Sequence, residues 1–506
     1  MKPRVLLVAS EAVPLAKTGG LADVITALAY TLRTQGVDAR ILMPGYPSAM
    51  QSAENIRRAD TLPDLPGGQG ILLSGVIPVV KVPVILLDTP LFRNRHANPY
   101  TDLFGSDHND NPICFAALAH SAMHICAGRS VFPIPNVVQA NDWHAGLIPA
   151  LLKANNIRNV GSVLTIHNLA FQGNFPMELA PQLELPSSIL NSDGAEYWGK
   201  ISFLKAGICF ADKISTVSHN YAKEILTSHF GHGFENILRH RKKDIVAIPN
   251  GIDTDIWNPL NDPMIAKNFS CTDIHGKHLC KLKLQKEFKL SSLNPMAPVL
   301  AIGSRMTHQK MADITLAAMP ALLNRYPLLQ LAVLGCGEPE YQRGFQLLAR
   351  KYPGRVGAII GYEETLAHVL HAGADMLLHG SRFEPFGLTP IYSMRYVTIP
   401  IASRVGGLAD TIIDAGTVHS PMTNATGFLF DGEQPQDLID AVNRALASYA
   451  IKPEWQRLQA NAMRGNFGWE DPGLQYINMY RSITAPEFRH LFPLATTSRV
   501  RASQVA

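Results

Sequence analysis

The chain is poor in the features that direct a protein to a membrane, a nucleic acid or a metal. No stretch is long and apolar enough to span a bilayer, and the leading MKPRVLLVAS has an apolar run too short for a signal peptide. Charged residues make up 17% and the formal net charge is +4, small for this length, which gives no case for nucleic acid or an anionic membrane. Six cysteines, at 114, 126, 209, 271, 280 and 336, lack the paired short spacing of zinc or redox sites. Buried free thiols in a reducing cytosol follow, and with them a cytoplasmic enzyme. No acidic pair has a spacing that marks the acid and nucleophile of a retaining glycosidase.

What the chain has is length and alternation. At 506 residues it exceeds one ordinary core. Short apolar runs alternate with helical patterns throughout, the doubly wound α/β arrangement. Residues 5–9 read as a buried strand, followed by a loop ending in Lys17-Thr18-Gly19-Gly20 and a helix. That loop has neither the Walker A spacing nor the GxGxxG pattern, so ATP-motor and hydride-transfer chemistry are not indicated. A lysine with two glycines after a first strand suits a phosphate or a sugar nucleotide. Residues 136–140 form a strand leading to Asn141-Asp142-Trp143-His144, where Asp142 can cap the next helix. The strand 161–166 delivers His167 and Asn168 at its end, a better place for a functional histidine than an apolar face. Asn250-Gly251 is first of all a turn signal.

In the second half, the strand 299–304 is followed by Arg305 and Lys310, cations that can reach one diphosphate or serve as surface charges. Tyr362 follows another strand and can stack on a base. The stretch HGSRFEPFGLTPIYSMRYVTIPIASRVGGLADT, from His379 to Thr411, gives strand, polar loop and helix, then a second glycine turn into a helix. The amides of Gly387, Leu388 and Thr389 at a helix start can hold a diphosphate. Glu384 ahead of that turn either faces sugar hydroxyls or stabilises its helix.

SRFEPFGLTPIYSMRY followed by RVGGLADT resembles the donor-site signature of bacterial glycogen synthases and plant starch synthases. KTGGLADV, NDWHAGL, TIHNLAFQG, NGID and SRMTHQK occur in the order expected of that family. The resemblance covers residues 3 to about 482. It implies a GT-B fold: two Rossmann-like doubly wound domains facing a central cleft, residues 1–255 and 256–480, the last helix returning to the first domain, and a tail at 485–506. It implies retaining transfer of glucose from ADP-glucose, with UDP-glucose as a second donor, to the non-reducing end of an α-1,4-glucan such as glycogen. Neither cofactor nor metal is expected.

The roles it implies are these. His167, Glu384, Arg305 and Lys310 are catalytic, the two cations neutralising the departing diphosphate while His167 and Glu384 hold glucose. Lys17, Gly19, Gly20, Asn250, Tyr362, Gly387, Leu388 and Thr389 bind the donor, and Asp142 and Asn168 lie by the acceptor. The chain departs from the family pattern at Cys114, where an arginine is usual, at Phe386, at Val397 and at His379-Gly380. Two other readings remain: a GT-B sugar-nucleotide epimerase, which needs acids placed for proton abstraction, and a catalytically weakened glucan-binding homologue, for which only the acceptor-side departure at Cys114 speaks.

Overall fold

A computed structural model describes residues 2–96, 98–102, 105–417, 420–421 and 423–493. The chain divides into two compact units. The first holds residues 1–217, 222–251 and 469–506; the second holds 218–221 and 252–468. The last long helix, Glu470–Ile483, thus belongs with the first unit. Of the expected tail, residues 486–491 form a short 3-10 helix, and 494–506 lie outside the described residues.

The first unit is built on one nine-stranded sheet. Its strands are β1 (Arg4–Val8), β2 (Asp38–Pro44), β3 (Glu54–Leu62), β4 (Gly70–Val76), β5 (Pro83–Asp88), β6 (Val137–Asn141), β7 (Gly161–Ile166), β8 (Lys213–Thr216) and β9 (Ile245–Ala247). Their order is β9-β8-β7-β6-β1-β2-β5-β4-β3. All pairs are parallel except β5–β4 and β4–β3, an antiparallel flap on one edge. Helices cover both faces of the parallel part, so β6 and β7 are buried along their whole length, the polar Gln139, Asn141 and Thr165 included. The strand β3, at the edge, leaves the consecutive Arg57 and Arg58 exposed where its register with β4 shifts.

The Glu470–Ile483 helix seals this sheet. Gly161 admits it closely, since a Cβ there would sit 2.9 Å from the Ile483 carbonyl oxygen. Tyr476 and Tyr480 are fully buried.

The second unit has a six-stranded, wholly parallel sheet: β10 (Val299–Gly303), β11 (Gln330–Gly335), β12 (Val356–Ile360), β13 (Met376–His379), β14 (Ile399–Ser403) and β15 (Phe428–Phe430). The order is β12-β11-β10-β13-β14-β15. Val299, Ala301, Ala332 and Leu377 of these strands pack with Leu284 and Leu370 from the helices and with Phe288, just past a helix end. The first segment of this unit is pinned by a stack: the Trp257 ring lies between His368 at 4.0 Å and Tyr392 at 3.9 Å. Asp262 accepts from His368 at 2.7 Å and from Tyr396 at 2.5 Å.

Both sheets reverse direction of winding at a central strand. In the first unit the chain leaves β1 for β2 on one side and later places β6 on the other. In the second, β11 lies on one side of β10 and β13 on the other. Loops at the carboxyl ends of the strands flanking such a point are where open α/β sheets bind ligands.

Among the described residues no helix is long and apolar enough to cross a membrane. The thiols are only partly buried as expected: Cys114, Cys126 and Cys280 are buried, Cys209 is intermediate, and Cys271 and Cys336 are exposed on loops.

Candidate active site

In the first unit, the loop after β1 is held by a carboxylate that the sequence reading passed over. Glu11 is buried at 2% exposure and accepts hydrogen bonds from the Thr18 amide, the Thr18 hydroxyl at 2.7 Å, the Gly19 amide at 3.4 Å and the Tyr100 hydroxyl. This fixes the Lys17–Gly20 turn while leaving Lys17, Gly19 and Gly20 exposed. Lys17 pairs with Asp23 at 3.0 Å, and among the described residues a Cβ on Gly19 would meet nothing within 4 Å. Tyr100, whose hydroxyl donates to Glu11, stacks on His144 at 4.7 Å.

Asp142 does not cap its helix. It stands at the end of β6 with φ +55°, a left-handed conformation that aims its carboxylate across to β7. There it accepts the amides of His167 at 2.7 Å and Asn168 at 3.2 Å. Burial pushes the Asp142 carboxyl up to about 7 against the pull of those two amides, and nearby Glu11 adds to the rise. His167 places Nε2 3.0 Å from Asn141 Oδ1, and burial pushes its imidazole down to about 3. It is therefore neutral near pH 7, a hydrogen-bonding group and not a charged one. His144, packed among Tyr100, Phe115 and Trp143, is likewise held down to about 3 by burial and by neighbouring His167.

In the second unit, the loop after β10 carries Arg305 and Lys310, and the loop after β13 carries Glu384 and Gly387. The two loops are stitched together. The Arg382 amide donates to the Gln309 carbonyl at 2.9 Å, Gln309 Nε2 donates to the Phe383 carbonyl at 3.1 Å, and the Arg382 guanidinium clamps Asp313 at 3.0 and 2.9 Å.

Across the seam, Lys310 makes a close ion pair with Glu384, both side chains about nine-tenths buried. His379 Nε2 lies 2.9 Å and Ser381 Oγ 3.2 Å from the same Glu384 Oε2. Burial works to raise the Glu384 carboxyl, but the Lys310 charge and the His379 hydrogen bond hold it well below the usual carboxylate range. Burial and Lys310 together lower His379. Arg305 is exposed and donates to the neutral Oε1 of Gln309 at 3.2 Å, with no ion pair among the described residues. His379 was visible in the sequence only as a departure from the family pattern; the structure makes it a ligand of Glu384.

Gly387 caps the helix Leu388–Arg395 with φ +88°, and a Cβ would approach Leu408 Cδ2 to 2.6 Å. This leaves the Leu388 and Thr389 amides at the helix start, beside Glu384. The second glycine turn serves the first: a Cβ on Gly407 would strike the Phe386 carbonyl oxygen at 2.3 Å, and the Gly407 amide donates to the Glu384 carbonyl at 3.0 Å.

The remaining positions are scattered more widely. Tyr362 is 63% exposed and donates to Glu364. Asn250 is buried, with Oδ1 lacking a hydrogen-bond partner among the described residues. At the departure from the expected arginine, Cys114 Sγ accepts from the buried Arg95 guanidinium at 3.0 Å, so a cation occupies that region from another part of the chain. Arg95 is held there by Asn111 at 2.6 Å and Asp110 at 2.5 Å. Among the described residues, no group of three or more histidine, cysteine or acidic side chains is placed to hold a metal ion.

Residues 4–240 match a family described as starch synthase catalytic domain, and residues 285–464 match glycosyl transferases group 1. A glycogen synthase of Ralstonia nicotianae is 49% identical over 504 residues, 99% of this chain and 92% of that protein. One from Bordetella petrii is 47% identical, covering 97% of this chain and 94% of that protein. Among solved structures, the catalytic domain of starch synthase IV from Arabidopsis thaliana, bound to ADP and acarbose, superposes with a TM-score of 0.84 at 26% identity, covering 96% of this chain and all of that one. Sucrose-phosphate synthase from Thermosynechococcus elongatus shares the fold, with a TM-score of 0.57 at 18% identity over 95% of this chain and 99% of that one.

Proposed function

The chain belongs to the glycogen synthase and starch synthase family of retaining glucosyltransferases with the GT-B fold, and from that premise we propose how its residues divide the work and which donor it takes. It is a glycogen synthase, adding glucose from a nucleotide sugar to an α-glucan. The proposed donor is ADP-glucose. The ADP bound by the Arabidopsis relative supports that choice.

The observation that carries the division of labour is the Lys310–Glu384–His379 cluster beside the Gly387 turn. Glu384 stays ionised and engaged, so it acts neither as general acid nor as base. It anchors Lys310 and offers its carboxylate to glucose hydroxyls. Lys310, the exposed Arg305 and the amides of Leu388 and Thr389 neutralise the diphosphate as the bond from the anomeric carbon to the β-phosphate oxygen breaks. The acceptor hydroxyl attacks from the face that the diphosphate leaves, and its proton passes to the departing phosphate oxygen. In the first unit, Lys17 and the Gly19-Gly20 turn address the donor, with Asn250 offering an unsatisfied acceptor. Neutral His167 holds the sugar, and Asp142 with Asn168 flanks the acceptor.

The test is incorporation of labelled glucose into glycogen from ADP-glucose and UDP-glucose in parallel, with Lys310→Ala as control. Incorporation chiefly from ADP-glucose, lost in the variant, is expected. Equal or greater incorporation from UDP-glucose overturns the donor assignment, and transfer undiminished in Lys310→Ala overturns the role of the cluster.

A further inference from the structure

We infer that His167 meets the donor sugar as a hydrogen-bond acceptor through Nδ1, in a tautomer dictated by a buried relay of Asn141, Gln139 and Tyr480. The inference rests on the reading of His167 as a sugar-binding residue and adds which atom acts and what holds it.

The relay can be read from its one unambiguous end. Asn141 Nδ2 lies 3.0 Å from the Val8 carbonyl oxygen and 3.4 Å from that of Gln139. Backbone carbonyls only accept, so the NH2 group must point at them and Oδ1 must point the other way. Two groups face that oxygen: Gln139 Nε2 at 3.1 Å and His167 Nε2 at 3.0 Å. An amide oxygen only accepts, so both must donate. Gln139 then turns Oε1 toward Tyr480, whose hydroxyl donates to it. His167 therefore carries its proton on Nε2. With the imidazole held neutral, Nδ1 is left as a bare lone pair on the opposite side of the ring, with no partner among the described residues.

Gln139, Asn141 and Tyr480 are each 0% exposed, so none can exchange its partner for water. The end of the relay lies on the Glu470–Ile483 helix, 341 residues from Gln139. That helix therefore sets a proton position in the site as well as covering the sheet. Sugar hydroxyls both donate and accept. A bare Nδ1 selects the donating role and orients one hydroxyl of glucose.

Nuclear magnetic resonance of full-length enzyme labelled with 15N-histidine reports the tautomer directly, with the His167 signals identified by their loss in His167→Gln. At neutral pH the account expects a protonated Nε2 and a bare Nδ1; a protonated Nδ1 overturns it whether or not the enzyme transfers glucose. Asn141→Asp places a carboxylate at the same nitrogen and is expected to shift His167 toward the doubly protonated form.

The kinetic arm uses donors in which each glucose hydroxyl in turn is replaced by fluorine, which accepts but cannot donate. One replacement is expected to lower kcat/KM roughly tenfold or more, and to lose that effect in His167→Ala. If no fluorinated donor shows such a His167-dependent loss, His167 does not accept from the sugar. Tyr480→Phe, the mildest variant, should lower kcat/KM several-fold without changing the affinity for ADP alone. An unchanged Tyr480→Phe enzyme with an unchanged His167 spectrum would remove Tyr480 from the relay.

Discussion

The two units place loops at the same topological position, yet fill them with opposite electrostatics. Beyond the Glu11 carboxylate and the exposed Lys17–Asp23 pair of its first loop, the first gathers at the ends of β6 and β7 groups whose charge burial opposes: His167 and His144 pushed down to about 3, and Asp142 pushed up to about 7. The second gathers full charges, Lys310 against Glu384 with Arg305 nearby, and keeps them charged when buried by pairing them. A buried charge survives only with a partner, so the second arrangement is expensive to build and is justified where charge develops during reaction. A departing diphosphate is such a place. A sugar ring carries no charge and is oriented by neutral donors and acceptors, which matches the first arrangement.

The contrast can be broken at its strongest point first. Lys310→Ala is expected to lower kcat roughly a thousandfold, because it removes the cation aimed at the leaving group and strands Glu384. Steady-state transfer kinetics would show it, and a loss confined to KM would mean that Lys310 only binds. His167→Ala should cost less, roughly 30- to 100-fold in kcat/KM, the size of a lost hydrogen bond to the transition state. Its pH profile should keep the wild-type shape, since a histidine pushed down to about 3 does not titrate near neutrality. Disappearance of a limb near pH 6 to 7 in the variant would contradict that neutrality.

Asp142→Asn sharpens the comparison through stability. The raised carboxyl binds its proton more tightly in the folded state, so its contribution is complete below the ordinary aspartate range near 4 and is lost as pH rises through about 7. Asparagine keeps an oxygen for the His167 and Asn168 amides and tolerates φ +55°. Relative to wild type, the variant should therefore gain on the order of 2 kcal/mol between pH 5 and pH 8, measured by urea unfolding. A difference that does not change with pH would mean that Asp142 is ionised throughout. Gly387→Ala should have the smallest effect, about 1 kcal/mol of stability and a several-fold weaker affinity for ADP, from the strain at φ +88° and the contact with Leu408. Calorimetry with ADP would detect it, and unchanged binding would detach the turn from the diphosphate.

The alternation of strand and helix was legible because parallel strands buried on both faces are short apolar runs, and because glycines and polar turns mark their ends. Residues at strand ends, such as His167, Arg305 and Glu384, stand out for the same reason. The partners that tune them do not. Glu11 looks like any carboxylate after a strand until it is seen holding four donors. His379 is the last residue of an apolar strand, and only the fold turns it toward Glu384. Arg95 beside Cys114, and Tyr480 behind Gln139, are pairings made by tertiary packing, which local patterns do not encode.

The contrast between a charged and a neutral half is tested most directly by measuring dissociation constants for ADP and for ADP-glucose in wild type, Lys310→Ala and His167→Ala by titration calorimetry. The account predicts that Lys310→Ala weakens both ligands by about tenfold or more, while His167→Ala leaves ADP unchanged and weakens only ADP-glucose. ADP binding that survives the loss of Lys310, or that falls as far without His167, would contradict it.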